Sequence, residues 1–277
     1  MSAPRRRRGR RARWRPWPKA RTWRRWLRAF RRAPRLMQLM IVLAVAALLA
    51  LAVNGVYQLV RKPTELFFPV SGVLSKTPAE TWREYAPLFR RYSTASVQPE
   101  LLAALAQVEG SGNPLVRTYW RWSWALRPFD MYRPASSAVG MYQITDGTFG
   151  VARHYCIHHH ELRREGPWND FGSCWFTGLY LRVLPGDAVE LTAAYLDLEL
   201  TEILARRRAR TTPAELRHVA AVVHLCGAGA AEAYVRRGLR FSEGELCGEH
   251  DPRGYLARVD AMYAVFVRLA AADSARQ

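Results

Sequence analysis

A single glutamate at the end of a short amphipathic helix is the clearest candidate for chemistry in this sequence. Residues 97–114 read VQPELLAALAQVEGSGNP, where Pro99 suits the first helical position and the leucines recur at helical spacing. The run GSGNP ends the helix, so Glu109 falls in its last turn. The helix dipole and apolar neighbours disfavour the charged carboxylate there, so Glu109 would hold its proton as a general acid does. The alternative is a solvated glutamate at a frayed helix end.

A second segment has residue types suited to binding a sugar. Residues 136–145 read SSAVGMYQIT, and the missing side chain of Gly140 permits close approach of another backbone. An aromatic ring stacks on a sugar face, and an amide hydrogen-bonds hydroxyl or acetamide groups. We therefore expect Met141, Tyr142 and Gln143 to contact a sugar.

These two motifs together resemble the catalytic domain of lytic transglycosylases of the soluble type, which is distantly similar to goose-type lysozyme. The family carries Glu-Ser at a helix end, then Gly-Leu-Met-Gln, then Ala-Tyr-Asn-x-Gly. Glu109 matches the catalytic acid, and residues 140–143 match the second motif with two substitutions. Residues 223–229, VHLCGAG, fall where the third motif is expected, and the resemblance extends over residues 88–269.

The sequence departs from the family pattern at two of these motifs. Gly110 replaces the family serine, although Ser111 follows one residue later, and His224 replaces the tyrosine that helps to position the acid. We expect Ser111 to bind substrate and His224 to orient Glu109 through one ring nitrogen. The sequence Ala-Ala-Tyr ending at Tyr195 is a rival for the third motif, but it lacks the glycines that should follow.

The resemblance implies a fold class and a reaction. The fold would be mainly α, a lysozyme-like helical domain preceded by one transmembrane helix. The enzyme would cleave the β-1,4 bond between N-acetylmuramic acid and N-acetylglucosamine in peptidoglycan, and the muramic acid's own 6-hydroxyl would form a 1,6-anhydro product. Glu109 would be the single acid and base, and no cofactor is implied. A hydrolytic muramidase, or a weakened peptidoglycan-binding scaffold of an envelope-spanning machine, is the alternative.

The charge of the chain is concentrated at its N-terminus. Of the 42 Lys and Arg residues, 16 lie in residues 1–35 together with no acid, so the rest of the chain carries 26 basic against 23 acidic residues. The net charge of +19 therefore does not indicate a nucleic-acid binder.

Residues 36–53 have one polar side chain, Gln38, and would span about 27 Å as a helix. We expect a transmembrane anchor at residues 36–60. Arginines dominate its N-terminal flank, so the positive-inside rule predicts a single-pass inner-membrane protein with residues 1–35 in the cytoplasm and the body in the periplasm. A cleaved signal peptide is the alternative. Residues 19–32 have the spacing of a cationic amphipathic helix on the anionic leaflet, or form a disordered topology signal.

The remaining chain is divided by composition and by helix-start signals. Residues 61–76 have the Pro and Gly content of a linker, and residues 77–277 would form the periplasmic transglycosylase domain. Capping boxes begin helices after Thr77 and Thr212. Further helices are expected from Thr145 to about residue 160, over residues 187–208 and over residues 255–272, whereas strand signals are scarce.

Histidines that could bind a metal and cysteines that could form disulfides both lie in the predicted periplasmic domain. His154 and His158 would share one face of the helix that follows Thr145, a conceivable metal pair, but no third ligand at helical spacing accompanies them, and no metal site is predicted. The four cysteines all lie on the predicted outer side, which favours two disulfides. The favoured pairing is sequential and joins Cys156 with Cys174 and Cys226 with Cys247.

An aromatic segment separates the first two motifs. Residues 115–134 contain six aromatic side chains, including Trp120, Trp122 and Trp124, which either fill a core or stack on sugar faces. We expect some of them to border the substrate groove. Asp130 in the same segment is a conceivable second carboxylate, although nothing in its spacing singles it out.

Overall fold

The computed structural model describes residues 20–67, 72–123, 129–170, 172–205 and 211–276. Residues 1–19, Trp124 and the predicted helix end near residue 208 lie outside these ranges. The described part of the chain is mainly helical and divides into two compact units, residues 1–55 and 56–277.

The first unit contains one helix and most of a second, in the order that the sequence predicts. Helix α1 covers Ala20–Arg32, and the apolar helix α2 covers Arg35–Arg61. Within α2, an 18-residue window has a mean hydropathy of 2.7, and none of that window is buried. This helix is therefore long and apolar enough to cross a membrane.

The second unit is built around one short helix, α4, which covers Pro99–Gly110. It packs against α3 at Pro78–Tyr92 and against the C-terminal helix α9 at Pro252–Ser274. Its residues 101–106 are all buried, so both of its sides belong to the core. This burial holds the C-terminal end of α4, and with it Glu109, in a fixed place.

The other helices complete the core. They are α5 at Asp146–Ala152, α6 at Pro185–Ala205, α7 at Pro213–Cys226 and α8 at Ala228–Arg236. Both predicted capping boxes are present: Thr77 exchanges hydrogen bonds with Glu80 at the start of α3, and Thr212 does so with Glu215 at the start of α7. Each box satisfies backbone N–H groups that would otherwise have no helical partner.

Two antiparallel hairpins interrupt the helical pattern. Strand β1 at Trp120–Trp122 pairs with β2 at Tyr132–Pro134, and β3 at Tyr155–His158 pairs with β4 at Glu161–Arg164. The second hairpin shows that the predicted helix to residue 160 is wrong, because α5 ends at Ala152. His159 and His160 adopt left-handed backbone conformations in the turn between β3 and β4.

The same hairpin removes the geometric basis for the predicted histidine pair. His154 precedes β3 and contacts Glu165, whereas His158 ends the strand, so the two do not share a helix face. Within the described ranges, no group of three or more His, Cys, Asp or Glu side chains has the arrangement of a metal site.

The four cysteines pair sequentially at disulfide distance. The Cα atoms of Cys156 and Cys174 lie 5.5 Å apart, and those of Cys226 and Cys247 lie 5.1 Å apart. The first pair ties β3 to the following loop, and the second ties the end of α7 to the loop before α9. The predicted pairing is confirmed by this geometry.

The segment predicted as a linker is in fact docked on the body at both described ends. Glu65, in a short 3-10 helix at Pro63–Phe67, is 4 % exposed and contacts Lys62, Arg117 and Trp120. Its carboxylate is buried because two cations and an indole N–H replace water as its partners. At the other end, the Lys76 N–H donates to the Ser111 carbonyl at 2.8 Å.

Candidate active site

The end of helix α4 presents Glu109 in a rigid turn. Ser111 adopts a left-handed conformation with φ 50°, and its N–H donates to the Gln107 carbonyl at 3.0 Å. The Gly112 N–H donates to the Ala106 carbonyl at 3.1 Å, which completes a Schellman-type cap. The Glu109 side chain is 18 % exposed, so its carboxyl group is largely enclosed and still reachable from solvent.

The glycines after Glu109 are required by close packing. A Cβ atom on Gly110 would lie 2.8 Å from the backbone of Met141, and one on Gly112 would lie 2.2 Å from the Thr81 hydroxyl. Both distances are too short for a side chain, which accounts for glycine at these two positions. The first motif therefore packs directly against the second.

Tyr255 is the closest polar partner of Glu109 among the described contacts. Its hydroxyl donates to Oε1 of Glu109 at 2.6 Å. Tyr255 lies in the first turn of α9, which Asp251 caps by accepting from two backbone N–H groups. Burial and the charge of Glu109 raise the pKa of Tyr255 well above its ordinary value, so the group remains a phenol that donates to Glu109.

His224, near the end of α7, also lies close to Oε1 of Glu109. Its Nε2 atom is 3.7 Å from Oε1 of Glu109, which is too long for a direct hydrogen bond, and its ring hydrogen-bonds the backbone of Tyr142. Burial lowers the pKa of His224, although Glu109 and the Tyr142 backbone oppose this effect. His224 is therefore neutral at neutral pH and places no full positive charge beside Glu109.

The side chains of the second motif, residues 140–143, mostly pack in the core and do not line the site. The side chains of Met141 and Tyr142 are fully buried, and the Tyr142 hydroxyl donates to the Leu102 carbonyl at 3.1 Å. The expectation that these two side chains hold a sugar is wrong, because both are part of the core. Gly140 has φ 78°, and a Cβ there would lie 2.3 Å from the Arg182 carbonyl.

Gln143 is half-buried and adopts a left-handed conformation with φ 49°. Its amide nitrogen donates to the Gly140 carbonyl at 2.9 Å and to the Val116 carbonyl at 3.3 Å, so this end of the side chain closes the loop. The exposed Ser111 lies two residues after Glu109, and its carbonyl accepts from Lys76.

The structure separates two weaker candidates from this site. Asp130 lies 3.8 Å from Arg61 rather than beside Glu109. Tyr195 is buried in α6, and the acid whose charge raises its pKa is Glu199. The rival tyrosine motif is therefore not the one that contacts Glu109. Sequence inspection missed Tyr255, which is 146 residues from Glu109 and has the spacing of an ordinary core residue.

The burial of neutral His224 predicts a pH dependence of stability. Because the folded pKa lies below the value of 6.5 in the unfolded chain, the unfolded chain binds the proton first as the pH falls. We expect the free energy of unfolding to decrease below about pH 6.5. His224→Gln should reduce this slope, as measured by urea unfolding at several pH values.

The matched control is His250→Gln, which replaces an exposed histidine. It should leave the slope as in wild type. An equal slope in His224→Gln and wild type would contradict the assignment of a buried, neutral His224.

No protein-family model, curated protein or solved structure matches this chain. The geometry around Glu109 and the sequence motifs are therefore the basis for assigning a function.

Proposed function

We propose that the chain is a membrane-anchored lytic transglycosylase of lysozyme-like fold that cleaves peptidoglycan with Glu109 as its acid and base. The observation that carries this proposal is the setting of Glu109. Its carboxyl group lies at the negative end of a buried helix, is partly exposed and accepts a 2.6 Å hydrogen bond from Tyr255. The motif order Glu109, residues 140–143 and His224 adds the family resemblance.

In the proposed reaction, neutral Glu109 gives its proton to the glycosidic oxygen between N-acetylmuramic acid and N-acetylglucosamine as the bond from that oxygen to C1 breaks. The N-acetylglucosamine residue leaves with a free 4-hydroxyl group. The Glu109 carboxylate then takes the proton of the muramic acid's 6-hydroxyl, whose oxygen bonds to C1 and closes the 1,6-anhydro ring. Glu109 is protonated again at the end, and no water is consumed.

This chemistry requires only one carboxylic acid, and the surroundings of Glu109 agree with that requirement. Glu109 is the acid whose charge acts on both His224 and Tyr255 in the described part of the chain. Glycosidases that use water or a covalent intermediate need a second carboxylate, about 5 to 9.5 Å from the first. Asp130, the candidate for that role, pairs with Arg61 instead.

The neighbours of Glu109 are suited to its two protonation states. Neutral His224 places no full positive charge beside the carboxyl group. The Tyr255 hydroxyl stabilises the carboxylate that forms when the proton leaves. Ser111 and Gln143 remain the proposed contacts for the sugar.

Tyr255→Phe should therefore lower the rate of glycan cleavage. A hydrogen bond to a charged group contributes about 1.5 to 3 kcal/mol, so we expect a loss of roughly 10- to 100-fold in kcat with a smaller change in KM. The measurement is the initial rate of soluble muropeptide release. A kcat within a factor of two of wild type would show that this hydrogen bond does not support the chemistry.

We further propose that α2 spans the inner membrane once, with residues 1–35 in the cytoplasm and the second unit in the periplasm. The arginines of the N-terminal flank support this orientation through the positive-inside rule. Both cysteine pairs lie in the second unit, and disulfides persist in an oxidising compartment such as the periplasm.

The proposed function is tested by mass analysis of the soluble products that the detergent-solubilised full chain releases from purified peptidoglycan. Muropeptides ending in 1,6-anhydro-N-acetylmuramic acid would support the proposal. Muropeptides with reducing ends would show a muramidase instead. Glycan binding without release of products would show a scaffold.

A further inference from the structure

A polar cavity of about 220 Å³ lies away from Glu109, between the end of α2 and the loop before the second motif. Four of the side chains that line it are cationic and one, Asp146, is acidic. The cationic and hydroxyl groups are Arg61, Lys62, Arg133, Ser136, Ser137 and Arg182. This composition is that of a site for an anion.

Two of the cations are held in place by the backbone of the neighbouring loop. The Lys62 ammonium donates to the Ala138 carbonyl at 2.9 Å and lies 3.2 Å from Glu65. Arg182 donates to the Ser137 carbonyl at 3.1 Å and to the Ile144 carbonyl at 2.8 Å. Both charges are therefore fixed before any ligand arrives, which lowers the entropic cost of binding.

The charges in and around the cavity are not fully compensated. Arg182 pairs with Asp146 at 2.9 Å, and the Arg61 partner Asp130 is 3.8 Å away. Burial lowers the pKa of Lys62, and Glu65 opposes this effect. Arg182 lowers the pKa by a smaller amount, and Asp146 raises it. The lining thus carries more positive than negative charge, which a bound anion would balance.

The position of the cavity along the chain indicates the source of the anion. Residues 36–60 would extend about 37 Å as a helix, slightly more than the hydrocarbon core of a bilayer, so Arg61 and Lys62 fall at headgroup depth. Tyr57 and Phe129, whose ring centres are 5.2 Å apart, are both partly exposed beside this point. Tyrosine is enriched at this level of a membrane.

We propose that this cavity binds the phosphate of an anionic phospholipid in the outer leaflet of the same membrane. This inference rests on the proposed membrane topology, but not on the proposed catalytic activity. Arg61 and Arg133 supply the charge that meets the phosphate. The Lys62 ammonium already contacts Glu65, Thr118 and the carbonyls of Ser136 and Ala138, so it adds positive charge without a free N–H group. The Ser137 hydroxyl accepts from the Asp146 N–H at 3.1 Å and so keeps its own proton to donate to a phosphate oxygen.

Binding at this cavity would also affect the loop that packs next to Glu109. The loop that carries Ser137 and Ala138 continues directly into residues 140–143, and Met141 packs against Gly110 next to Glu109. A bound headgroup would therefore steady this loop and fix the body at the membrane surface.

The test is the thermal unfolding midpoint of the full chain in a neutral detergent, with phosphatidylglycerol added at increasing concentration. Lipid held by the basic N-terminal tail does not depend on the folded body, whereas lipid in the cavity binds only the folded state and raises the midpoint. At about 100 times the dissociation constant, we expect a rise of roughly 5 to 10 °C. Phosphatidylcholine should give no rise.

The double variant Arg61→Gln, Arg133→Gln should lose this rise, and Arg133→Gln alone should weaken it. The matched control, Arg236→Gln with Arg268→Gln, removes the same charge from exposed positions on α8 and α9 and should respond as wild type. A rise in the Arg61→Gln, Arg133→Gln variant equal to that of wild type would overturn the proposal. So would a rise with phosphatidylcholine equal to that with phosphatidylglycerol. A rise with inorganic phosphate but none with phosphatidylglycerol would overturn the lipid assignment.

The experiment does not depend on turnover, so it separates the two proposals. A rise in a chain that releases no muropeptides would support the lipid site and contradict the enzyme. Release of anhydro-muropeptides by a chain that shows no rise would do the reverse.

Discussion

Glu109→Gln should abolish nearly all glycan cleavage while the domain remains folded. Glutamine cannot give or take the proton, and loss of a general acid costs about 10²- to 10⁴-fold in rate. The amide oxygen still accepts from Tyr255, and the side chain keeps its volume in a partly exposed site, so little stability should be lost. The measurement is the rate of soluble muropeptide release, with circular dichroism to confirm the fold.

The control for this variant lies on the same helix. Glu100→Gln changes the same residue type in the first turn of α4, at the opposite end from Glu109. It should retain wild-type activity. A rate for Glu109→Gln within about tenfold of wild type would contradict the role of Glu109 as the acid.

Glu65→Gln should destabilise the body by about 3 to 5 kcal/mol. The Glu65 side chain is 1 % exposed, and its carboxylate lies 3.2 Å from both the Lys62 ammonium and the Arg117 guanidinium. It also accepts from the Trp120 indole N–H at 2.8 Å. Removing its charge leaves two enclosed cations without their carboxylate, which costs more than the loss of one hydrogen bond.

The free energy of unfolding, measured by urea denaturation of the full chain in detergent, tests this expectation. Glu249→Gln is the matched control, because Glu249 is 76 % exposed and lies 4.0 Å from Arg121. A surface pair of this kind contributes less than about 1 kcal/mol. If the two variants lost equal stability, the docked segment would not depend on Glu65.

The parts of the fold that follow from local signals were predictable from the sequence. Pro99 and the glycines after Glu109 define the bounds of α4, and the Thr-Pro-Ala-Glu sequences begin α3 and α7 where their capping boxes require. The sequential cysteine pairs also match. In each case the determining residues are close together in the chain.

The parts that depend on distant partners were not predictable. Residues 153–160 contain no Gly or Pro that would end a helix, but the β3 backbone is held by β4 and by the Ile157 N–H, which donates to Glu190 at 2.9 Å. Glu65 lies in a segment with linker composition, and its burial depends on Arg117 and Trp120 more than fifty residues away. The periodicity of the surrounding sequence indicates neither of these contacts.

The same distinction between local signals and distant partners applies to the candidate site. The position of Glu109 follows from its own helix, whereas Tyr255 reaches it from the last helix of the chain. Met141 and Tyr142 have side chains suited to a sugar, yet both are buried in the core, where Gly110 allows the backbone of Met141 to approach closely. A motif thus locates the loop without showing which of its side chains face the substrate.

The most direct test of the proposed chemistry is cleavage of peptidoglycan by the full chain in water enriched in ¹⁸O, followed by mass spectrometry of the soluble products. Attack by the 6-hydroxyl predicts muropeptides that are lighter than the hydrolysis products by one water and that carry no ¹⁸O at C1. Reducing muropeptides labelled at C1 would show that water is the nucleophile and would contradict the transglycosylase assignment.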